Sequence, residues 1–160
     1  TIISTIRRNP KEALNPQIKS MNFLNNILAK IEAKRMQAFE AIMLNMEGYI
    51  AECTVSNIFF VKDDILHTPS IDCSILDGIT RGVVIDLAKS KGIKVLEGQY
   101  KVEELLEAKE IFLTNTSLEL VPVKKVNAQE YRVGNIYKLL HEEFRKAVKA
   151  YVSVRKMASL

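Results

Sequence analysis

Two strand–turn–strand patterns placed almost end to end constrain this chain more than any other feature. The stretch Ala38 to Asn45 (AFEAIMLN) reads as a strand, Glu47-Gly48 as a turn, and Tyr49-Ile50-Ala51-Glu52 as the returning strand. A second pattern follows at once: Ile58 to Val61, a turn at Asp63-Asp64, and Ile65 to Thr68 coming back. Connections this short force antiparallel pairing. An isolated hairpin is marginal in water, so these strands need cover from other elements.

The rest of the sequence supplies that cover. Apolar residues at helical spacing predict a helix from Ser20 to about Arg35, with Phe23, Leu24, Ile27, Leu28 and Ile31 as its buried stripe and Ser20 or Asn22 as its cap. A second helix is predicted from Thr80 to about Lys91, with Val83, Val84, Leu87 and Ala88 on one face and Gly92 as its stop. Val102 to Ala108 reads as a short helix. A last helix starts near Gly134, with Ile136, Leu140, Phe144, Ala147, Val148 and Tyr151 in its stripe. Further strands are read at Thr1 to Ile6, Ile93 to Leu96, Glu110 to Thr114 and Leu120 to Val126, where Pro122 implies an edge or a bend. Arg7 to Gln17 carries two prolines and two asparagines and reads as a loop. Hairpins mixed with helices make an α+β (mixed α/β) domain with a curved sheet. Thr1 is no start methionine and already lies in a strand pattern, so the chain reads as part of something longer.

Composition narrows the function classes. The chain has 160 residues, 48% hydrophobic and 26% charged, with a net charge of +4. That excludes a disordered segment, and at this length roughly 70% of the unfolded surface can be buried in one core. No apolar run approaches the ~20 residues of a membrane span, so no membrane partner is expected. Basic residues alternate with acids, as in Lys101-Val102-Glu103-Glu104, and aromatics are only 7%, so no nucleic-acid partner is expected either. Two cysteines and two histidines, all separated in sequence, argue against a disulfide framework and against a metal site. Reduced thiols point to a cytoplasmic protein.

Four segments could carry chemistry. Lys19 stands just before the first long helix, and Glu52 closes a hairpin strand; taken singly, both are ordinary. Leu76-Asp77-Gly78-Ile79-Thr80-Arg81 is more specific, because it sets a glycine, free amides and a hydroxyl at a helix N-terminus, an arrangement that either binds an anion or simply caps the helix. Thr114-Asn115-Thr116-Ser117 is a hydroxyl-rich turn after a strand, able to hold an anion or simply to turn the chain.

Taken together the segments form a pattern. Ile18-Lys19-Ser20-Met21-Asn22, Glu52-Cys53-Thr54-Val55-Ser56-Asn57-Ile58-Phe59, Leu66-His67-Thr68, Leu76 to Arg81 and Thr114 to Val123 resemble the class IV (fold-type IV) pyridoxal-phosphate-dependent aminotransferases. The resemblance runs from about Ile18 to Val126, and its texture is closest to the branched-chain amino acid aminotransferases. It implies the large domain of a fold-type IV enzyme: a pseudo-barrel-like sheet with flanking helices, pyridoxal 5'-phosphate as cofactor and a homodimeric assembly. Residues 1–17 would be a strand and interdomain linker, and residues 18–160 the C-terminal cofactor-binding domain. The N-terminal domain of the family, roughly a hundred residues on the size logic of small domains, has no counterpart in this chain.

The same resemblance implies roles. Lys19 would be the Schiff-base lysine and the proton shuttle at the substrate Cα. Glu52 would pair with the pyridine nitrogen and keep it protonated. Ile79 and Thr80 would bind the cofactor phosphate through amides and a hydroxyl, with Thr116 as a second phosphate contact. The Ser117 and Leu118 amides would face the substrate carboxylate, and Asn57 would fix the turn near the ring. Two positions depart from the pattern: Phe23 stands where branched-chain enzymes carry a tyrosine, and Cys53 where a glycine commonly follows the glutamate. The implied reaction moves an amino group from a branched-chain amino acid to 2-oxoglutarate. The same family also contains D-amino acid aminotransferases and aminodeoxychorismate lyases. Outside enzyme chemistry, the chain could be a folded fragment without a complete active site.

Overall fold

The computed structural model describes residues 1–158, with side-chain surroundings through residue 153. In chain order the elements are β1 (Ile2–Ile3), α1 (Leu24–Arg35), β2 (Ala41–Leu44), β3 (Ile50–Cys53), β4 (Asn57–Lys62), β5 (Ile65–Pro69), α2 (Ile79–Ser90), β6 (Val95–Gly98), α3 (Val102–Leu106), β7 (Glu110–Asn115), β8 (Glu119–Pro122), β9 (Lys125–Val126), β10 (Gln129–Glu130) and α4 (Asn135–Ala158). The two predicted hairpins are β2–β3 and β4–β5.

The strands divide mainly between a five-stranded sheet, ordered β6-β5-β4-β7-β8, and a three-stranded sheet, ordered β1-β2-β3. The central strand β4 (NIFFVK) is buried on both faces, which explains its continuous apolar run. Phe59 and Val61 point to one side, where Phe59 stacks on Phe112 of β7 at 5.2 Å between centroids. Helices α2 and α4 close that side with Val84, Ile85, Ala88, Tyr137, Leu140 and Phe144. Ile58 and Phe60 point the other way, into a second core shared with Ile42, Leu44 and Ile50 of the smaller sheet and Leu105 of α3. Helix α1 lies on the far side of the smaller sheet, with Ala29 and Ala33 against Ala41 and Met43. The mixed α+β architecture is thus layered as α2 and α4, five strands, three strands, α1.

Local chemistry explains the boundaries. The parallel β5–β6 pair needs a long crossover, and α2 provides it. Lys91 and Gly92 end that helix, with Gly92 at φ +73° as the sequence predicts. At the start of α4, the Glu110 carboxylate accepts from the Ile136 and Tyr137 amides at 3.3 and 2.9 Å. Pro122 sits on β8, an edge strand, as its missing N–H requires.

Four expectations are corrected. The opening strand is only Ile2–Ile3, because from Ser4 onward Glu32 captures the Ser4 hydroxyl and the Thr5 amide. The strand read at Leu120 to Val126 is broken into β8 and β9. Helix α1 starts at Leu24, with neither Ser20 nor Asn22 as a side-chain cap, and its apolar stripe faces outward. Leu24 is 63% exposed and Ile27 51%, whereas Asn26, Ala29 and Ala33 are buried, since only small side chains fit the close approach to β2. In α4 the buried residues are Tyr137, Leu140 and Phe144, while Val148 and Tyr151 are exposed. At 24 residues, or about 36 Å, α4 outruns the strands it covers.

Candidate active site

A cavity of about 690 Å³ opens where the C-terminal end of β3, the start of β4, the β7–β8 turn and the N-terminus of α2 converge. Every residue singled out for chemistry lines it: Lys19, Glu52, Ile79, Thr80, Thr116, Ser117 and Leu118. Lys19 comes from the loop before α1 and is exposed toward the cavity, while Thr116, Ser117 and Leu118 form its exposed rim.

Glu52 is the floor. It is 5% exposed and held on three sides. Arg8 Nη2 lies 2.8 Å from Glu52 Oε1, the Leu76 amide donates to Oε2 at 3.0 Å, and Asn57 Nδ2 donates to Oε2 at 3.3 Å. Burial pushes the Glu52 carboxyl up to about 7, against the opposing pull of the Arg8 and Lys19 charges and the Leu76 amide. A carboxylate kept this dry gains most from a cationic partner entering the cavity.

Asn57 also donates to the Leu76 carbonyl at 2.8 Å, so it ties the floor to the turn that starts α2, as expected for a residue that fixes this turn. Gly78 is required there, because a Cβ would lie 2.1 Å from Asn57 Oδ1. Gly78 is the N-cap of α2 and gives the helix no side-chain cap, so the amides of the first turn face the cavity beside Thr80. Arg81, 2% exposed, anchors that turn from behind by donating to the Pro69 carbonyl and to Glu97.

The opposite rim is organised by Asn115. Its Nδ2 donates to Ser56 Oγ at 2.9 Å, and its Oδ1 accepts from the Ser117 and Leu118 amides at 3.0 and 2.7 Å. A carboxylate drawing on those two amides therefore replaces the Asn115 oxygen. Cys53 packs into the core with Ile42 and Ile58, and burial with nearby Glu40 and Glu52 pushes its thiol up. Phe23 sits at the cavity edge as the N-cap residue of α1.

Sequence reasoning missed two contributors, Arg8 and Asn26, and read Thr114 only as part of a hydroxyl-rich turn. Arg8 lies in a segment that reads as a linker loop, yet it is buried and meets Glu52. Thr114 lines the cavity with a buried hydroxyl that has no hydrogen-bond partner. Asn26, buried on α1, accepts from Arg8. No spacing signal marks a lone arginine in a polar loop, whereas an asparagine inside a helix is a local misfit worth following.

The model of the class IV amino-transferase family matches residues 1–126 of this chain. The chain belongs to that family. Class IV aminotransferases are pyridoxal-phosphate-dependent transferases. A protein of Methanocaldococcus jannaschii named as a branched-chain-amino-acid aminotransferase is 44% identical over 147 residues, covering 90% of this chain and 51% of the relative. The aminodeoxychorismate lyase of Bacillus subtilis is 37% identical, covering 92% and 50%. A D-alanine aminotransferase of Listeria monocytogenes is 40% identical, covering 82% and 46%. Among solved structures, the branched-chain aminotransferase of Thermobaculum terrenum in its pyridoxal-phosphate form superposes with a TM-score of 0.89 at 36% identity, covering 92% of this chain and 50% of that one. The chain spans about half the length of the curated relatives it matches. No described helix is long and apolar enough to cross a membrane.

Proposed function

We propose that this chain is the cofactor-bearing part of an aminotransferase that exchanges an amino group between a branched-chain amino acid and 2-oxoglutarate. The observation that carries the reading is the cavity itself. It gathers a lysine, a buried carboxylate and an uncapped helix N-terminus around one space. The residues fit pyridoxal 5'-phosphate: an anion site at one end, a dry carboxylate on the floor and the unpartnered Thr114 hydroxyl in the wall. When bound, the cofactor supplies an electron sink for the bond breaking at the substrate Cα.

The chain's own residues divide the work. Glu52, steadied by Arg8, holds a proton on the ring nitrogen. The first-turn amides of α2, with the Thr80 and Thr116 hydroxyls, take the phosphate. The Lys19 amine holds the cofactor aldehyde between turnovers and moves a proton at the substrate Cα. The Ser117 and Leu118 amides receive the substrate carboxylate when Asn115 gives way. Phe23, at the cavity edge, offers no hydroxyl to the cofactor. Names of branched-chain enzymes among the relatives favour that substrate class over the lyase and D-amino acid readings. The exposed stripe of α1 is covered in the whole protein, as a homodimer with a further domain would do. The two buried free cysteines suit the cytoplasm.

Adding pyridoxal phosphate and reducing with borohydride should attach the cofactor to the peptide carrying Lys19, with no label in Lys19→Ala. Label on another lysine sinks the assignment. With the whole protein, glutamate should form from 2-oxoglutarate with leucine, isoleucine or valine as donor. Turnover of D-alanine alone, or release of pyruvate from aminodeoxychorismate, moves the subclass.

A further inference from the structure

We propose that Asn26 is a positioning residue that locks the Arg8 guanidinium against the Glu52 carboxylate from the side away from the cavity. The inference rests on the reading of Glu52 as the ring-nitrogen partner. Arg8 Nη2 reaches Glu52 at 2.8 Å, and Nη1 donates to Asn26 Oδ1, also at 2.8 Å. Asn26 Nδ2 in turn donates to the Thr54 carbonyl at 2.7 Å. The footing is firm. The Thr54 hydroxyl donates to Glu40, which is 0% exposed and also accepts from the Ala41 amide at 3.1 Å and from Lys30 at 3.4 Å.

A plain packing role does not account for this asparagine. The other buried residues of α1 are Ala29 and Ala33, and a third alanine would suit the close contact with β2. Asparagine is a poor helix former, and burying its amide is unfavourable unless both ends are satisfied. Here both ends are satisfied, and by the two groups that lead to the cavity floor. The neighbouring Asn25 mainly clamps backbone, accepting from the Asn9 amide and donating to the Arg7 carbonyl, and it meets Arg8 Nη1 only at 3.4 Å against 2.8 Å for Asn26. Arginine has a long flexible stem, so a second acceptor decides whether its fork stays aligned on one carboxylate.

The groups facing Glu52 are Arg8 from the segment after β1, Lys19 from the loop before α1, Cys53 beside it on β3, and the neutral Asn57 and Leu76 donors. Loosening Arg8 weakens the largest attraction holding Glu52 ionised, while the others stay in place. The test is a carbon-13 NMR titration of the Glu52 carboxyl in cofactor-free protein, assigned with Glu52→Gln. Asn26→Ala should raise the midpoint by about one pH unit, about tenfold in proton affinity. Asn26→Ser, whose hydroxyl is too short to reach Arg8, should move it the same way and serves if the alanine variant does not fold. Midpoints equal to the wild type in a folded variant overturn the proposal. In loaded enzyme kcat should fall with KM nearly unchanged, and the acid limb of its pH profile should move with the midpoint. A shifted midpoint in a protein that never takes up pyridoxal phosphate supports the Asn26–Arg8 lock and overturns the reading of Glu52 as a ring partner.

Discussion

The five-stranded side of the molecule and the α1 side are built on opposite rules. Around β4 and β7, each large apolar residue has its partner within this chain: Phe59 on Phe112, Leu140 and Phe144 over them, and Ile58 and Phe60 against the smaller sheet. On α1 the small residues are buried and the large ones lie outside, with Leu24, Ile27, Leu28 and Ile31 exposed beside Met36 and Phe39. A row of exposed large apolar side chains is the kind of surface that a protein partner would cover. The cavity lies on the seam. Thr80 and Thr114 come from the self-sufficient side, Glu52 from β3 of the smaller sheet between the two, and Arg8, Lys19 and Asn26 from the α1 side. One part of the site is therefore fixed by a packed core, while the other rests on a helix whose large apolar side chains face outward.

The sharpest contrast is in stability. Phe112→Ala removes a ring that is 0% exposed and stacked between β4 and α4, leaving a cavity its neighbours cannot fill. The expected loss is about 3–5 kcal/mol, measured as a shift in urea midpoint. A loss under about 1 kcal/mol would show that this side is loosely packed and break the comparison.

The seam itself should respond to pH. Burial raises Glu52 from its ordinary range near 4.5 to about 7, so the folded protein holds this proton more tightly than the unfolded chain. Between those values the folded state binds more protons, and stability falls as pH rises. The contribution is fully present below about 4.5, is lost progressively up to about 7, and is flat above. The total is about 3 kcal/mol at 1.36 kcal/mol per unit. Glu52→Gln should remove that slope from a series of denaturation curves in cofactor-free protein. A slope that survives the substitution would place the titrating group elsewhere. Pyridoxal phosphate should reverse the trend, because a cationic ring partner favours the ionised carboxylate.

The two sides also differ in how much of them the sequence discloses. Hairpins, the α2 stop at Gly92 and the edge position of Pro122 depend on local turn and proline chemistry, and all are where the pattern puts them. The cavity residues Glu52, Ile79, Thr80 and Thr116 are marked by the family resemblance; taken singly, only the helix start at Leu76 to Arg81 and the turn at Thr114 to Ser117 carry a local signal. The α1 side resists the same reasoning. Helical periodicity reveals that one face is apolar but not which body it meets, and here the large side chains stay exposed among the described residues. Arg8 is buried by a partner forty-four positions away in the sequence, a pairing no local pattern encodes.

The smallest expected effect is the most informative about that face. Ile27→Ser and Leu28→Ser replace residues that are 51% and 46% exposed, so little contact is lost within the chain. Serine lowers helix propensity relative to isoleucine and leucine by only a few tenths of a kcal/mol. Each substitution should move unfolding by no more than about 0.5 kcal/mol. Self-association should change far more, since both side chains stand in the middle of the outward stripe. Sedimentation of the wild type over a range of concentrations should show association that the double variant loses. If the variant instead unfolds readily while its association state stays the same, the stripe belongs to the internal core and the contrast between the two sides fails. If stability holds and association is lost, α1 is an interface helix. The approach of Lys19 and Arg8 to Glu52 is then set partly by whatever that helix meets, because both residues precede it closely in the sequence and Asn26 ties it to the cavity floor.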